Sequence, residues 1–249
     1  MELDLIDYIL NTESKAAVER YLKYAPPTFD PKFLGLTMVD RDKLESIVLL
    51  ADHVLNLNGD VVECGVWAGG TCILLHYLFP RKTLYVVDSF KGCQDPLSGK
   101  FSHEYTGDEH FLGLYHYEID LVKENFRQCG IEENPIGSGE FKNIKFIEGW
   151  VKDTLHPIVN PIKDIALLRI DVDSYSATKE VLYYCFDKVV TSGVIIFDDM
   201  GLTEANAAIK SFFKEKGLEP ELYNPINWEI TYNLFESNLI PGGAFLLKS

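Results

Sequence analysis

Basic residues, cysteines and long apolar runs are all scarce in this chain, and each shortage removes a class of function. Lys and Arg number 23 of 249 residues against 38 Asp and Glu, a formal net charge of −15. A polyanion of that size repels phosphate backbones and anionic bilayers, so neither nucleic acid nor a membrane is expected as a partner. No apolar stretch approaches the ~20 residues needed to span a bilayer. The first residues, Met1-Glu2-Leu3-Asp4, are acidic where an export signal is basic, so a cytoplasmic location is expected. The five cysteines (Cys64, Cys72, Cys93, Cys129 and Cys185) form no C-x-x-C pair and no disulfide framework. They read as reduced thiols, several of them in apolar stretches. There is no internal repeat and no low-complexity tract. What remains is ordinary globular composition, 47% hydrophobic and 24% charged, in a chain long enough to bury a full core.

Periodicity divides the chain. Residues 1–58 read as a helical cap: Leu44, Ile47, Val48, Ala51 and Leu55 share a helix face, Leu5, Ile6, Ile9 and Leu10 suggest a shorter helix, and Pro26-Pro27 interrupts between them. From residue 59 to 249, strand-like and helix-like stretches alternate. Strands are expected at Val61-Val62 and over 83–87, 144–147, 165–170 and 194–197, with helices over 71–79, 115–129, 177–186 and 205–216. Two late runs, 228–235 and 244–247, read as an antiparallel hairpin turning at Pro241-Gly242-Gly243. This pattern predicts a doubly wound α/β domain with a mostly parallel, seven-stranded sheet. Residues 89–113 and 130–142 are long connections of the kind that form lids or binding loops.

The first chemical signal is Val62-Glu63-Cys64-Gly65-Val66-Trp67-Ala68-Gly69-Gly70, a strand entering a glycine-rich turn and a helix. Gly65 allows a sharp turn, and Gly69-Gly70 would let a ligand approach the helix start. A dinucleotide fingerprint requires glycine where Trp67 stands, and a pyrophosphate would be crowded there. Glu63 beside the turn suits a cationic ligand, and the spacing points to S-adenosylmethionine, a zwitterion with a sulfonium. A plain structural turn is the alternative. Asp88, ending the next strand, can accept from both ribose hydroxyls, or else serve as a turn or capping aspartate.

Asp171 closes the apolar run Ile165-Ala166-Leu167-Leu168-Arg169-Ile170, and Asp198-Asp199 closes Val194-Ile195-Ile196-Phe197. Ends of adjacent parallel strands converge, so these carboxylates should crowd together, which costs free energy unless a cation neutralises them. Hard oxygen donors with open positions suit Mg²⁺. Asp173 is a further candidate, and solvated helix-capping aspartates are the alternative. His103, His110 and His116 lie in or beside the long loop, where a base poised near neutrality could reach a substrate hydroxyl. His53, His76 and His156 read as surface or core residues.

Five segments in order, V-V-E-C-G-V-W-A-G-G, V-V-D-S-F-K-G, I-E-G-W-V-K-D-T-L, L-L-R-I-D-V-D-S-Y-S-A-T and V-I-I-F-D-D-M-G, resemble the motifs of macrocin O-methyltransferase-like enzymes. The resemblance covers residues 45–215. It implies a class I methyltransferase-like fold, S-adenosylmethionine and Mg²⁺ as cofactors, and methylation of a sugar hydroxyl on a glycosylated or polyhydroxylated natural product. It also implies a homo-oligomer. By resemblance Asp171, Asp198 and Asp199 hold the metal, with Asp171 also at the reacting centre. Glu63, Gly65, Trp67, Gly69, Asp88, Ser89 and Asp171 attend the cofactor. Gly149, Trp150 and Asp153 fall where the adenine edge is read, and His110 is the nearest match to the general base, with His103 and His116 open. Two motifs depart from the family pattern: Val172 replaces the glycine of R-x-D-G-D, and Cys93-Gln94 replaces Leu-Pro after D-S-F-x-G. A catechol acceptor, or a nicotinamide-linked oxidoreductase on the same glycine turn, are the rival readings.

Overall fold

The computed structural model describes residues 36–95, 98–107, 111–156, 161–224, 231–237, 240 and 243–248. The short helix expected around Leu5–Leu10, the Pro26-Pro27 break, His110, and residues 228–230 of the first late run lie outside them. The described elements are α1 (Arg41–Leu55), β1 (Asp60–Cys64), α2 (Gly70–Leu78), β2 (Leu84–Asp88), α3 (Ile119–Gln128), β3 (Ile144–Glu148), α4 (Val151–Thr154), β4 (Ile165–Ile170), α5 (Tyr175–Cys185), β5 (Val189–Phe197), α6 (Thr203–Lys216), β6 (Glu221–Tyr223), β7 (Thr231–Asn233) and β8 (Ala244–Leu247).

The strands form one sheet in the order β3-β2-β1-β4-β5-β8-β6-β7. Pairings β1–β2, β2–β3, β1–β4 and β4–β5 are parallel, whereas β5–β8, β8–β6 and β6–β7 are antiparallel. Successive residues of a strand face opposite sides, and the apolar strands feed two separate cores. Val61, Val86 and Leu167 pack with α1, α2 and α3 on one face. Val62, Val87, Leu168 and Ile170 pack with α5 and α6 on the other. A register shift at Ala166 lets Ala166 and Leu167 both join the first core. Helix α1 belongs to that core: Leu44, Ile47, Leu50, Ala51 and Val54 are buried in it.

The expectation of seven strands and a final hairpin needs correction. Eight strands are present among the described residues, and the described parts of the two late runs do not pair with each other. Buried Ala244, Phe245 and Leu246 put β8 inside the sheet against β5, while the polar β7 (Thr-Tyr-Asn) takes the edge as the hairpin partner of β6. A three-residue strand like β6 carries too little alternation to show in sequence. The helix expected from residue 115 begins at Ile119, because Tyr115 has a left-handed φ of 60° and Glu118 is extended.

The chain proceeds from β1 outward through β2 and β3, then returns to β4 on the other side of β1. Such a reversal opens a crevice at the carboxyl ends of the strands, the usual ligand position in open α/β sheets. Glu63, Asp88, Asp171, Asp198 and Asp199 lie within two residues of the ends of these strands, whereas Asp153 falls in α4.

Candidate active site

The crevice is a cavity of about 280 Å³. Its floor comes from the ends of β1, β2, β4 and β5. One wall is the segment Thr37–Val39, and another includes Cys93, Gln94, Leu114 and Tyr115 from the long connection after β2. Glu63, Gly65, Trp67, Asp88, Ser89, Trp150, Asp171, Asp173, Asp198 and Asp199 all line it, so most of the predicted site converges.

Backbone geometry explains the glycine turn. Gly65 has φ +84°, and an added Cβ would stand 1.6 Å from the Asp171 carbonyl oxygen. Only glycine lets β1 and β4 diverge here while Asp171 N–H still donates to Cys64 O at 2.9 Å. Gly69 and Gly70 serve the fold instead: Cβ atoms there would meet Phe126 and Val122 of α3, and the Leu36 backbone, respectively. Gly69, Gly149 and Asp153 do not line the cavity, and Asp153 is exposed and paired with Lys152. Asp88 ties the turn together. Its Oδ2 accepts from Val66 N–H at 2.7 Å and Trp67 N–H at 3.3 Å, and its Oδ1 from Phe90 N–H at 2.7 Å. Burial raises its pKa, and these backbone donors oppose the rise. Ser89 donates to Gly92 O at 2.6 Å, and Trp150 Nε1–H donates to the same oxygen at 3.3 Å.

Ligand oxygens of Asp171, Asp198 and Asp199 lie within 4.8 Å of one another. The neutralising charge that such crowding demands is partly supplied by the protein. Arg169, 1% exposed, donates from Nη1 to Glu63 Oε1 at 2.6 Å and to Asp171 Oδ2 at 2.7 Å, and from Nη2 to Asp198 Oδ1 at 2.5 Å. Lys43 of α1 donates to Asp198 Oδ2 at 2.7 Å. Burial alone would raise the pKa of Asp198, but Arg169 and Lys43 outweigh it and hold the group below the usual carboxylate range. Asp199 has no such cation: burial, then the charges of Asp171, Asp173 and Asp198, push it well above that range. Asp171 is raised to about 6 by burial, against the pull of Arg169. Asp173, with φ +57° and its N–H donating to Asp199 Oδ2 at 3.0 Å, is raised to about 7, by burial first and its acidic neighbours second. Two cations thus face five carboxylates (Glu63, Asp171, Asp173, Asp198 and Asp199). Three converging hard oxygen donors in an acid excess fit a divalent ion.

Glu63 is 1% exposed, and burial lifts its pKa to about 7 even with Arg169 beside it. Besides Arg169, its carboxylate has the buried Cys72 thiol as a hydrogen-bonding neighbour, and its Oε2 makes no further hydrogen bond of normal geometry. A buried acceptor left open costs free energy until a donor arrives, and a cationic amino group of a ligand supplies one. The residues present therefore fit the amino-acid end of S-adenosylmethionine.

Some functional positions escaped the sequence. Arg169 had a signal, a lone cation inside an apolar strand that must find acid partners. Lys43 and Tyr115 had none. Tyr115 lies close enough for the charges of Asp173, Asp199 and Asp171 to raise its phenol pKa, after burial. His103 and His116 are exposed and outside the cavity lining. The connection after β2 is fastened to α5: Lys179 and Tyr175 donate to Glu104, the latter at 2.8 Å, and Lys100 N–H donates to Glu180 Oε1 at 2.8 Å.

A switch-point crevice with a glycine turn and acids at four neighbouring strand ends, a carboxylate trio among them, is the arrangement of an S-adenosylmethionine-dependent O-methyltransferase. The profile of the macrocin O-methyltransferase (TylF) family matches residues 11–233, and the chain belongs to that family. It is 29% identical over 205 residues to mycinamicin III 3''-O-methyltransferase of Micromonospora griseorubida, covering 75% of this chain and 73% of that one. It is 27% identical over 236 residues to the 8-demethyl-8-(2,3-dimethoxy-alpha-L-rhamnosyl)-tetracenomycin-C 4'-O-methyltransferase of Streptomyces olivaceus, covering 87% and 85%. The structure of the O-methyltransferase NovP superposes with a TM-score of 0.70 at 25% identity, covering 98% of each chain. Family membership removes the nicotinamide-linked alternative. Among the described residues no helix is long and apolar enough to cross a membrane.

Proposed function

We propose that this enzyme methylates a hydroxyl of a sugar or glycosylated small molecule with help from Mg²⁺. The observation that carries the reading is the carboxylate trio beside the glycine turn, within one crevice. The relatives' sugar and glycoside substrates support the acceptor class. When bound, the donor supplies an electrophilic methyl and the divalent ion a Lewis acid toward an acceptor oxygen. Asp171, Asp198 and Asp199 would hold that ion, and Arg169 fixes two of them in place. Glu63 offers Oε2 to the donor's ammonium, and Asp88, beyond bracing the turn, has lone pairs left for the ribose hydroxyls. Trp67 and Trp150 exclude water from the donor's flank. His110 accepts the proton of the acceptor hydroxyl, an assignment supported by the family resemblance alone. Alignment of this kind is worth on the order of 7–11 kcal/mol. The family resemblance likewise supports a homo-oligomer, the reduced cysteines support a cytoplasmic location, and the helical periodicity supports residues 1–58 as a cap on the methyltransferase domain.

Labelled S-adenosylmethionine, offered with glycosides and with catechols, tests the proposal. Transfer to glycosides, lost in excess EDTA and restored by Mg²⁺, is expected. Undiminished turnover in EDTA would remove the metal, and transfer to catechols alone would replace the acceptor class.

A further inference from the structure

Tyr115 has no part in the reaction described above, yet the chain holds it at the site in a strained conformation. The segment that carries it is pinned to the start of the long connection. Cys93 N–H donates to Leu114 O at 2.9 Å, and Gly113 N–H donates to Cys93 O at 3.1 Å. The approach is so close that a Cβ on Gly92 would stand 2.6 Å from the Leu114 carbonyl oxygen. Tyr115 itself has a φ of 60°. That left-handed conformation costs free energy in a residue with a Cβ, and such residues cluster at ligand sites. Packing does not account for it. The side chain is 45% exposed and belongs to none of the apolar clusters. It makes no hydrogen bond or ring contact with any described residue, whereas the hydroxyls of Tyr77 and Tyr175 both have partners.

What Tyr115 does face is the cavity, which it lines together with the carboxylate trio. Burial, then the charges of Asp173, Cys93, Asp199 and Asp171, push its phenol above the usual value. The hydroxyl therefore lies within electrostatic reach of those acids and stays protonated at neutral pH, a donor without a partner among the described residues. Leu114 beside it and Met38 from another wall are also about half exposed and line the same cavity. The crevice thus has an acidic floor and apolar side chains near its opening. Tyr115 offers both kinds of surface, an apolar ring face and a polar tip. A pyranose has the matching pair, a face of C–H groups and an edge of hydroxyls.

We propose that Tyr115 is a specificity-determining residue for the acceptor, its ring covering the C–H face of the sugar and its hydroxyl donating to an oxygen beside the one methylated. The proposal rests on the glycoside reading above.

Steady-state kinetics with labelled S-adenosylmethionine, Mg²⁺ and a set of methyl and 4-nitrophenyl pyranosides test it, with calorimetry of S-adenosylhomocysteine alongside. For the pyranoside that the unaltered enzyme methylates best, Tyr115→Phe should raise the acceptor KM by roughly 3- to 10-fold, the loss of one hydrogen bond. Tyr115→Leu loses the ring face as well, so a rise of roughly 10- to 100-fold is expected. It should also flatten the ranking among the pyranosides. Both variants keep a Cβ at the same φ, and kcat, S-adenosylhomocysteine affinity and melting temperature should change little. An acceptor KM and a ranking unchanged in both variants overturn the proposal. So does weakened S-adenosylhomocysteine binding at unchanged acceptor KM, which would put Tyr115 against the donor. If the unaltered enzyme methylates no pyranoside of the set, the acceptor class itself fails, and the proposal with it.

Discussion

Replacing Arg169 by methionine should destabilise the protein in a pH-dependent way. Its guanidinium bonds three carboxylates at 2.5–2.7 Å, two of them (Glu63 and Asp198) buried, and is itself buried. Methionine fills similar volume but leaves those acids facing one another, with only Lys43 nearby on Asp198. Breaking a buried ion pair from one side costs about 3–5 kcal/mol, a large share of the ~5–15 kcal/mol that holds a domain folded. For a chain of this length each kcal/mol lowers the melting temperature by about 2–4 °C, so a fall of roughly 6–20 °C is expected at pH 7.5. The sign with pH follows from protonation. Glu63 and Asp171 already sit at about 7 and about 6 in the folded protein, above their unfolded values. Folded protein therefore binds more protons than unfolded between about pH 4 and 7, and stability falls as pH rises through that window. Losing the cation that opposes these shifts moves both pKa values further up, so the variant's deficit is greatest above pH 7 and shrinks toward pH 5. Urea denaturation of both proteins between pH 5 and 8 measures it. A deficit below about 1 kcal/mol, or one independent of pH, would refute the view that Arg169 is the main internal counter-ion of the site.

Asp199→Asn removes the acid that lacks a cation, so the metal-free protein should become more stable at neutral pH. It should also lose any Mg²⁺-induced rise in melting temperature, both seen by scanning calorimetry. Glu180, raised to about 7 chiefly by burial, makes stability fall as pH climbs from about 4.5 to 7. Glu180→Gln should flatten the denaturation profile by roughly 1–3 kcal/mol across that window, and an unchanged slope would contradict the assignment. Gly65→Ala places a Cβ 1.6 Å from the Asp171 carbonyl at φ +84°, so a loss of about 3–5 kcal/mol is expected by urea titration.

Legibility in the sequence followed the range of the forces involved. The parallel half of the sheet was readable because strands buried on both faces are continuously apolar, as in Ile165–Ile170, and because glycine at Gly65 marks a turn that no other residue can make. The convergence of Asp171, Asp198 and Asp199 followed from topology alone, since parallel neighbours end at the same edge. The antiparallel half was misread. Whether β8 pairs with β7 or slips between β5 and β6 depends on which surface buries Phe245 and Leu246, a tertiary matter that local alternation does not encode. The same holds for charge. An acid at a strand end is visible in sequence, but its compensation by Arg169, two residues before Asp171 on β4, and by Lys43, 155 positions from Asp198, is not.

That compensation makes the three aspartates unequal. Asp198 is an anion before any ligand arrives, both its oxygens held by protein cations, so it can fix a position but has little charge left to give. Asp199 is the reverse: its Oδ2 meets only a backbone N–H, and its neighbours drive it toward protonation. In the proposed reading a divalent ion would be drawn chiefly by Asp199 and Asp171 and registered by Asp198. Arg169 extends the same network to Glu63, whose free Oε2 faces the donor's ammonium in the proposed reading. A single buried guanidinium thereby couples the two halves of the crevice. Positive charge placed against Glu63 or against the trio relieves the same excess of carboxylates, and neither half can be altered without shifting the protonation of the other.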